Sequence, residues 1–300
     1  MSDTPTASAA PAAGTATDVA STPASHAPYT PGHPVIDAHA HIYPGKIAPR
    51  AVEAVGDFYN LEMFGDGTAE HLLSRCAEAP ITHFIVHSVA TTPHAVEAIN
   101  DFIAAQCREH AQFIGFGTMH QDYQDMEAEV QRAIDLGLKG FKIHPDTQKV
   151  NMDDPRFMRL YELIEGRLPI VIHTGDYRYD YSHPRRLVNI LKTFPDLVVD
   201  AAHLGCWSRY EVGFDVLHDL ALRSDNIFLD ESSSQWFLGQ RRTRELVRMW
   251  GHKHVMFGSD FPMWDPAAEY HQFTTAGFTE DELEDMLWHN AERFAGVKVR

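Results

Sequence analysis

The chain has 300 residues, 44% of them hydrophobic, so it can bury a large core, and no run approaches the about 20 apolar residues of a membrane span. Its 42 acidic and 25 basic residues give a formal charge of −17, which disfavours nucleic acids and anionic membranes as partners. Three widely spaced cysteines without a CxxC motif indicate a reducing compartment, and we expect a cytoplasmic protein.

The beginning of the chain differs in composition from the rest. Residues 1–32 are mostly Ala, Ser, Thr and Pro, with neither a basic start nor a continuous apolar stretch, so they do not resemble a secretory signal. Such a segment cannot bury enough apolar surface to become ordered. We therefore predict a disordered tail over residues 1–32 and one folded domain over residues 33–300.

From Val35 onward, short β-branched runs alternate with longer amphipathic segments. The clearest helical patterns lie at 94–110, 125–137 and 279–296, and the last opens with Thr279 and a glutamate three residues later, which is a capping box. The predicted strands are 35–42, 81–88, 113–119, 140–145, 169–175, 197–205, 226–232 and 254–262.

This alternation predicts βαβ units and a parallel sheet. Eight repeats can close into a barrel, whereas a doubly wound sheet would require a glycine-rich phosphate turn after the first strand. The turn in this chain reads HIYPGK, which is not GxGxxG. We therefore predict a single-domain α/β fold, a (β/α)8 TIM barrel, with the insertion at 43–80 as a lid or wall over its active end.

Polar side chains gather at the carboxyl ends of the predicted strands. His39 and His41 lie two apart on the first strand and therefore share a face, with Ala38 and Ala40 on the other. Histidines or aspartates also end three later strands, at positions 173, 203 and 260, on the face where barrel enzymes build their sites. A lone buried histidine is usually a satisfied core residue, but five such groups at one level are better explained by one bound metal ion.

Five segments in order resemble the amidohydrolase superfamily, most closely the amidohydrolase-related branch that includes aminocarboxymuconate-semialdehyde decarboxylase and resorcylate decarboxylases. They are VIDAHAHIYP, GLKGFKIHP, PIVIHTG, DAAHLG and MFGSDFP, and the resemblance extends from about Val35 to Val297. It implies a metal-dependent TIM-barrel enzyme.

Taken residue by residue, the resemblance implies four metal ligands: His39 and His41 on the first strand, His173 on the fifth and Asp260 on the eighth. It also implies that His203 is catalytic and holds the attacking water or the substrate. Imidazoles with one carboxylate and an open position suit a single zinc ion, while the ligand types leave Mn²⁺ and Fe²⁺ open.

Two reaction classes fit this ligand set. In the first, which we take as the main hypothesis, a metal-activated water hydrolyses an amide, ester or lactone of a small, carboxylate-bearing substrate. Asp260 would receive the proton of this water, and His203 would stabilise the oxyanion. The alternative is a non-oxidative decarboxylase, a carboxy-lyase of an aromatic or enol acid. A non-catalytic scaffold is disfavoured because every expected ligand position is filled. We expect a small-molecule substrate and a homodimer, because such barrels often dimerise.

Lys142 on the fourth strand has three interpretations. Some relatives carboxylate a lysine on this strand to bridge two metals, whereas an unmodified ammonium would pair with a carboxylate such as Asp37 or Glu231, or bind an anionic substrate. We favour one metal and an unmodified Lys142, because the branch that the chain resembles uses one metal.

Four further residues are candidates for substrate binding. Arg178, in the cation-rich loop 174–187, is a candidate clamp for a substrate carboxylate, with a solvated surface position as the alternative. His144 either lines the pocket or satisfies a loop. Trp207 and Trp236 are candidate pocket walls, and ordinary packing is their alternative role.

Overall fold

The computed structural model describes residues 29–299, so most of the predicted tail (1–32) lies outside the described residues. Eight parallel strands form one sheet in chain order, which confirms the predicted barrel. Each strand falls within its predicted segment: β1 Ile36–His41, β2 His83–His87, β3 Phe113–Thr118, β4 Gly140–Ile143, β5 Ile170–Ile172, β6 Val199–Ala201, β7 Ile227–Asp230 and β8 Val255–Met256.

Helices connect the strands and surround them. The α-helices of the described residues are α1 Ala48–Tyr59, α2 Ala69–Ser74, α3 Val96–Glu109, α4 Met126–Asp135, α5 Pro145–Gln148, α6 Pro155–Ile164, α7 Pro184–Thr193, α8 Tyr210–Ala221, α9 Ser234–Trp250, α10 Pro266–Thr274, α11 Glu280–Glu284 and α12 Asn290–Ala295. None of the helices in this part of the chain has the length and apolar character needed to cross a membrane.

Local sequence signals set the helix boundaries. Asp125 accepts a hydrogen bond from the backbone N–H of Ala128 and begins α4, and Asp154 caps α6 in the same way. The predicted capping box is present at α11: the Thr279 side chain accepts from the Glu282 backbone, and the Glu282 carboxylate accepts from the Thr279 N–H.

The barrel closes where β8 meets β1, although β8 itself has only two residues. Beyond β8, the chain continues along β1: the Ala38 N–H donates to the Phe257 carbonyl at 2.9 Å, and the His41 N–H donates to that of Phe261 at 2.7 Å. Between them the Asp260 N–H donates to the His39 carbonyl at 2.8 Å. Barrel closure thus carries Asp260 to the carboxyl end of β1.

One predicted face of β1 is wrong. The pairing register with β2 shifts between Asp37 and Ala40, as at a β-bulge. Ala38 therefore packs with the apolar cluster inside the barrel, whereas Ala40 belongs to the layer between strands and helices. His39 and His41 still point to the same side, since their Nε2 atoms lie 3.3 Å apart.

The amino-terminal end of the barrel is closed by apolar packing. Phe294 of α12 packs against Phe116 of β3 and Phe228 of β7, with both pairs of ring centroids 5.6 Å apart. The cluster also includes Ile36, Ile85 and Val171. This end is filled, so polar side chains collect at the opposite end, formed by the carboxyl ends of the strands. Barrel enzymes carry their sites at that end.

Candidate metal centre and active-site cavity

The predicted first-strand histidines and eighth-strand aspartate meet at the carboxyl end of the barrel. Nε2 of His39 lies 3.3 Å from Nε2 of His41, and Oδ1 of Asp260 lies 3.7 Å from the first and 3.8 Å from the second. The point equidistant from three atoms with these separations lies about 2.1 Å from each, which is a zinc–nitrogen or zinc–oxygen bond length. The donor set therefore fits one divalent cation.

Asp230 at the end of β7 orients His39. The Nδ1–H of His39 donates to Oδ2 of Asp230 at 2.7 Å, and this leaves the Nε2 lone pair free for a cation. Burial raises the pKa of the Asp230 carboxyl, but the adjacent His39 outweighs this effect and brings the pKa well below its ordinary value. Asp230 is therefore an anionic acceptor that fixes the tautomer of His39.

Asp260 is held by a second set of contacts. The Ser233 hydroxyl donates to its Oδ2 at 2.7 Å, and the indole N–H of Trp264 donates to the Ser233 hydroxyl at 2.9 Å. The backbone of Asp260 has a φ of 58°, in the left-handed region, and that of His203 has a φ of 62°. Non-glycine residues in this region concentrate at functional sites, where surrounding contacts offset the strain.

Lys142 lies inside the barrel, fully buried, with Nζ 3.1 Å from Nε2 of His39. Burial lowers the pKa of Lys142 to about 8, against the opposing effect of Asp230 and Asp260. The carboxylates that raise the pKa of Lys142 are therefore Asp230 and Asp260, and not the predicted partners Asp37 and Glu231. An ammonium thus donates to the same lone pair that a metal ion would take.

His203 and His173 form the other side of the site. The ring of His203 is 4.9 Å from that of His39 and 4.8 Å from that of His173. Nδ1 of His173 lies 3.0 Å from Nε2 of His203, and Nε2 of His173 lies 3.0 Å from the Gly175 carbonyl oxygen. The structure therefore brings His203 next to His39, while both ring nitrogens of His173 face protein atoms.

The hydrogen bonds that join Ser232, His203 and His173 require more hydrogens than the two neutral histidine rings carry. The Ser232 hydroxyl donates to Asp230, so His203 must donate from Nδ1 to Ser232, and His173 must then donate from both of its nitrogens. Burial lowers the pKa of His203 to about 4 and that of His173 well below its ordinary value, so each neutral ring carries one hydrogen. A cation that takes a lone pair of His173 would remove this conflict.

A cavity of about 460 Å³ opens above these groups. Its polar end contains His41, His173, His203 and Asp260, and helix α1 forms much of the opposite wall. The predicted insertion is thus a wall of the cavity. The apolar side chains that α1 and its flanks contribute are Ile47, Ala51, Ala54, Val55, Phe58 and Met63.

His144 and Trp207 lie at or beside this cavity. Nε2 of His144 is 2.7 Å from the Tyr59 hydroxyl, and the His144 ring stacks on that of His173 at 3.8 Å. His144 belongs to the cavity wall. Trp207 is buried with its ring 4.8 Å from that of Tyr59, so it supports the wall from behind.

Arg178 and Trp236 are not among the described residues that line the cavity. The Arg178 guanidinium is bound by the Asp176 carboxylate through Nε at 3.0 Å and a terminal nitrogen at 2.7 Å, and it also donates to the Phe58 carbonyl at 2.5 Å. Trp236 is 62% exposed and stacks on Trp264. Arg178 therefore ties the loop 174–187 to α1 through these hydrogen bonds.

A family model described as amidohydrolase matches residues 36–297. The chain belongs to the amidohydrolase family. No curated protein matches this amidohydrolase significantly.

Solved structures share its fold at low sequence identity. The 5-carboxyvanillate decarboxylase of Sphingomonas paucimobilis is 17% identical with a TM-score of 0.65, over 88% of this chain and 99% of that one. A dihydroxybenzoic acid decarboxylase from Polaromonas, with bound manganese and 2-nitroresorcinol, is 14% identical with a TM-score of 0.67, over 88% and 97%. A Pseudomonas putida protein assigned as 2-pyrone-4,6-dicarboxylic acid hydrolase is 17% identical with a TM-score of 0.66, over 89% and 99%.

Two buried groups of this amidohydrolase site were missed by the sequence reasoning. Asp230 ends β7 and His87 ends β2, and both lie near the carboxyl ends of the predicted segments, so both carry the signal used for the other candidates, a polar residue at a carboxyl strand end. Both side chains are fully buried beside His39. Scanning every strand end for such residues would have found them.

Proposed function

We propose that this amidohydrolase is a metal-dependent hydrolase that cleaves an amide, ester or lactone bond in a small substrate. The cofactor is one divalent cation, zinc in the first instance, bound by His39, His41 and Asp260, with His173 as the fourth predicted ligand. The observation that supports this is the triangle of two imidazole nitrogens and one carboxylate oxygen at the polar end of the cavity. Manganese and iron remain alternatives, since His and carboxylate ligands also suit them.

When bound, the cation supplies Lewis acidity, which polarises a carbonyl oxygen and acidifies water. The protein supplies the proton acceptor: Oδ2 of Asp260 is held by Ser233, so Oδ1 is directed to the histidines and receives the proton of the attacking water. His203 lies next to His39 and is the proposed oxyanion stabiliser; because its Nδ1–H donates to Ser232, it acts after taking up a proton at Nε2. The apolar wall excludes bulk water and strengthens both interactions.

The cavity also indicates the substrate class. Its α1 side is apolar, so it suits a planar or aliphatic body, whereas the polar end suits the reacting carbonyl. Among the described wall residues, Lys149 contributes a cationic side chain, and this residue is exposed. We assign to Lys149, in place of Arg178, the role of attracting a substrate carboxylate.

The first experiment is a metal analysis joined to a substrate panel. Wild type and Lys142→Ala should each bind one equivalent of metal, whereas two equivalents falling to one would support a carboxylated, bridging lysine. Chelation should abolish cleavage of an amide, ester or lactone in the panel, and zinc or manganese should restore it.

Variants then test the assigned proton acceptor. Asp260→Asn should lower kcat/KM at least 100-fold, because it removes the acceptor and a ligand. Asp122→Asn, an exposed carboxylate partnered by Arg156, is the matched control and should behave as wild type. A metal-replete protein that cleaves no member of the panel would contradict the hydrolase assignment.

A decarboxylase is the second candidate, and the apolar cavity wall favours it. An apolar environment disfavours a substrate carboxylate relative to neutral carbon dioxide, so loss of the carboxyl group is promoted there. Two of the similar structures are decarboxylases of hydroxylated aromatic acids. Carbon dioxide release from hydroxybenzoates, without cleavage of 2-pyrone-4,6-dicarboxylate or other lactones, would select this function over hydrolysis.

A further inference from the structure

Tyr59, the last residue of α1, brings a hydroxyl group to the wall of the cavity. Its oxygen lies 2.7 Å from Nε2 of His144, which belongs to the same wall. The His144 ring stacks on that of His173 with 3.8 Å between the centroids, and the Tyr59 ring is 6.2 Å from that of His173. The hydroxyl therefore lies near the polar end of the cavity, and the catalytic steps proposed above do not involve it.

The direction of the hydrogen bond between Tyr59 and His144 follows from the other ring nitrogen of His144. Nδ1 lies 3.4 Å from the backbone nitrogen of Thr147 and caps the beginning of α5. A backbone N–H only donates, so Nδ1 offers its lone pair and carries no hydrogen. The ring is then neutral, its one hydrogen is on Nε2, and this hydrogen is donated to the Tyr59 oxygen.

The Tyr59 hydroxyl consequently keeps its own hydrogen for another acceptor. Among the described residues, His144 is the hydrogen-bond partner of this oxygen, and no second one accepts from it. Burial, with Asp260 nearby, raises the pKa of Tyr59 well above its ordinary value, so the phenol stays protonated at neutral pH. Its hydrogen is thus available to a molecule that enters the cavity.

We infer that the Tyr59 hydroxyl donates a hydrogen bond to an oxygen atom of the substrate. The inference rests on the proposed function in one respect, that the substrate occupies this cavity, and it applies to hydrolysis and to decarboxylation alike. Both substrate classes bring a carbonyl or carboxylate oxygen to the polar end. A neutral donor is useful there, because His203 has to take up a proton at Nε2 before it can donate from that nitrogen.

Contacts on several sides fix Tyr59 in position. Its ring packs against that of Trp207 with 4.8 Å between the centroids. Asn60, with a φ of 54°, ends α1 immediately after Tyr59, and Arg178 donates to the carbonyl of the preceding Phe58. A donor that is fixed before the substrate arrives needs no reorganisation during the reaction.

The direction of the hydrogen bond can be measured in wild type without a substrate. In protein with ¹⁵N-labelled histidine, a ring nitrogen that carries hydrogen and one that offers a lone pair have well-separated chemical shifts, and His144→Gln identifies the resonances of His144. We expect the His144 hydrogen on Nε2. A hydrogen on Nδ1 would overturn the inference, because Tyr59 would then donate to Nε2 and have no hydrogen left for a substrate.

Removal of the hydroxyl provides the second measurement. Tyr59→Phe retains the ring that packs against Trp207, and we expect kcat/KM to fall at least tenfold on the substrate that the hydrolysis or decarboxylation panel identifies. Tyr179→Phe is the matched control: it removes a hydroxyl from a ring that stacks on Phe58 outside the described cavity wall, and it should behave as wild type. Unchanged kcat/KM in Tyr59→Phe would overturn the inference and leave the proposed function intact. Wild type that acts on no member of either panel would contradict the proposed function, and the position of the His144 hydrogen would then decide the inference.

A fluorinated tyrosine separates a donor from a purely structural residue, and it also serves if Tyr59→Phe does not fold. 3,5-Difluorotyrosine at position 59 keeps the ring and the hydroxyl but has a lower phenol pKa, and its ionisation is visible in the absorbance spectrum. We expect kcat/KM of this protein to fall as the pH rises through that pKa, since a phenolate cannot donate. The same residue at position 179 should add no such fall. Activity that persists after the phenol at position 59 has ionised would overturn the inference.

Discussion

Nζ of Lys142 lies 3.1 Å from Nε2 of His39, the ring nitrogen that remains free when Nδ1 donates to Asp230. The ammonium therefore contacts the lone pair through which His39 would bind a metal ion. Since two cations do not share one lone pair, binding of a metal there requires Lys142 to move away or to lose its proton. Lys142 and the metal thus compete, and the competition depends on pH.

The first prediction concerns this competition. Burial lowers the pKa of Lys142 to about 8, so wild-type metal affinity should rise as the pH increases through 8 and the lysine loses its proton. At pH 7 the proton disfavours metal binding about tenfold, since one pKa unit corresponds to a factor of ten. Lys142→Met carries no such proton and should bind zinc about tenfold more tightly than wild type at pH 7.

Competition titrations at pH 7, 8 and 9 measure this effect. The affinity difference between Lys142→Met and wild type should disappear by about pH 9, where wild-type Lys142 has lost its proton as well. A variant that binds zinc more weakly than wild type at every pH would contradict competition, and would instead indicate a lysine that helps to hold the metal.

The sequence predicted the scaffold and part of the site for identifiable reasons. Strands alternate with helices at a rhythm that only a few folds allow, and His39 and His41 share a face because side chains repeat every two residues in a strand. The eighth strand shows the limit: 254–262 was predicted, but only Val255–Met256 is regular, since Asp260 adopts a left-handed backbone. That turn depends on contacts with β1, which local propensity does not encode.

The remaining contacts of the site depend on register and on competition between partners. His87 lies beside His41 only because β1 and β2 pair in one particular register, which includes a bulge. Arg178 was predicted as a substrate clamp, yet Asp176 lies two residues away and binds its guanidinium. A sequence shows which charged groups are present, but it does not show which of them pair.

The second prediction follows from a buried acid outside the proposed ligand set. Burial, with Asp260 and Asp37 nearby, raises the pKa of Glu269 to about 8 from an ordinary value of 4.5. Between these values the folded protein keeps a proton that the unfolded chain releases, so stability is lost as the pH rises from 4.5 through 8. Glu269→Gln, a neutral isostere, should remove this loss.

Thermal and denaturant unfolding of the metal-free proteins at pH 5 and pH 8.5 measure the effect. Wild type and Glu269→Gln should have similar stability at pH 5, and the variant should be the more stable by up to about 4 kcal/mol at pH 8.5. Titrating groups away from Glu269 are common to both proteins and cancel, whereas Glu231, whose pKa Glu269 raises, adds to the gain of the variant at high pH. A constant difference across the pH range would contradict the raised pKa.

The third prediction concerns the tie between Arg178 and α1. Arg178 is bound by Asp176, donates to the Phe58 carbonyl and lies 4.7 Å from the centroid of the Phe58 ring. Arg178→Met should lower the free energy of unfolding by about 1–2 kcal/mol, because charged hydrogen bonds of a partly buried group are lost. Protease cleavage within α1 should also become faster.

A double-mutant cycle with Asp176→Asn separates this role from a substrate clamp. If the two residues act as one tie, the effects of Arg178→Met and Asp176→Asn on stability should be less than additive in the double variant. A substrate clamp would behave differently: Arg178→Met would leave stability unchanged and weaken only the binding of carboxylated ligands.

The last prediction tests the cavity wall that α1 provides. Ala54 lines the cavity, whereas the adjacent Glu53 faces the outer groove of the same helix. Ala54→Trp should occupy part of the about 460 Å³ cavity and raise the KM for the substrate that the panel identifies at least tenfold. Glu53→Trp adds an indole of the same size on the other face of α1 and should leave KM unchanged. Metal content should stay at one equivalent in both variants, because α1 contributes none of the proposed ligands. An equal effect of the two tryptophans on KM would instead mean that α1 is simply destabilised, and that its inner face does not contact the substrate.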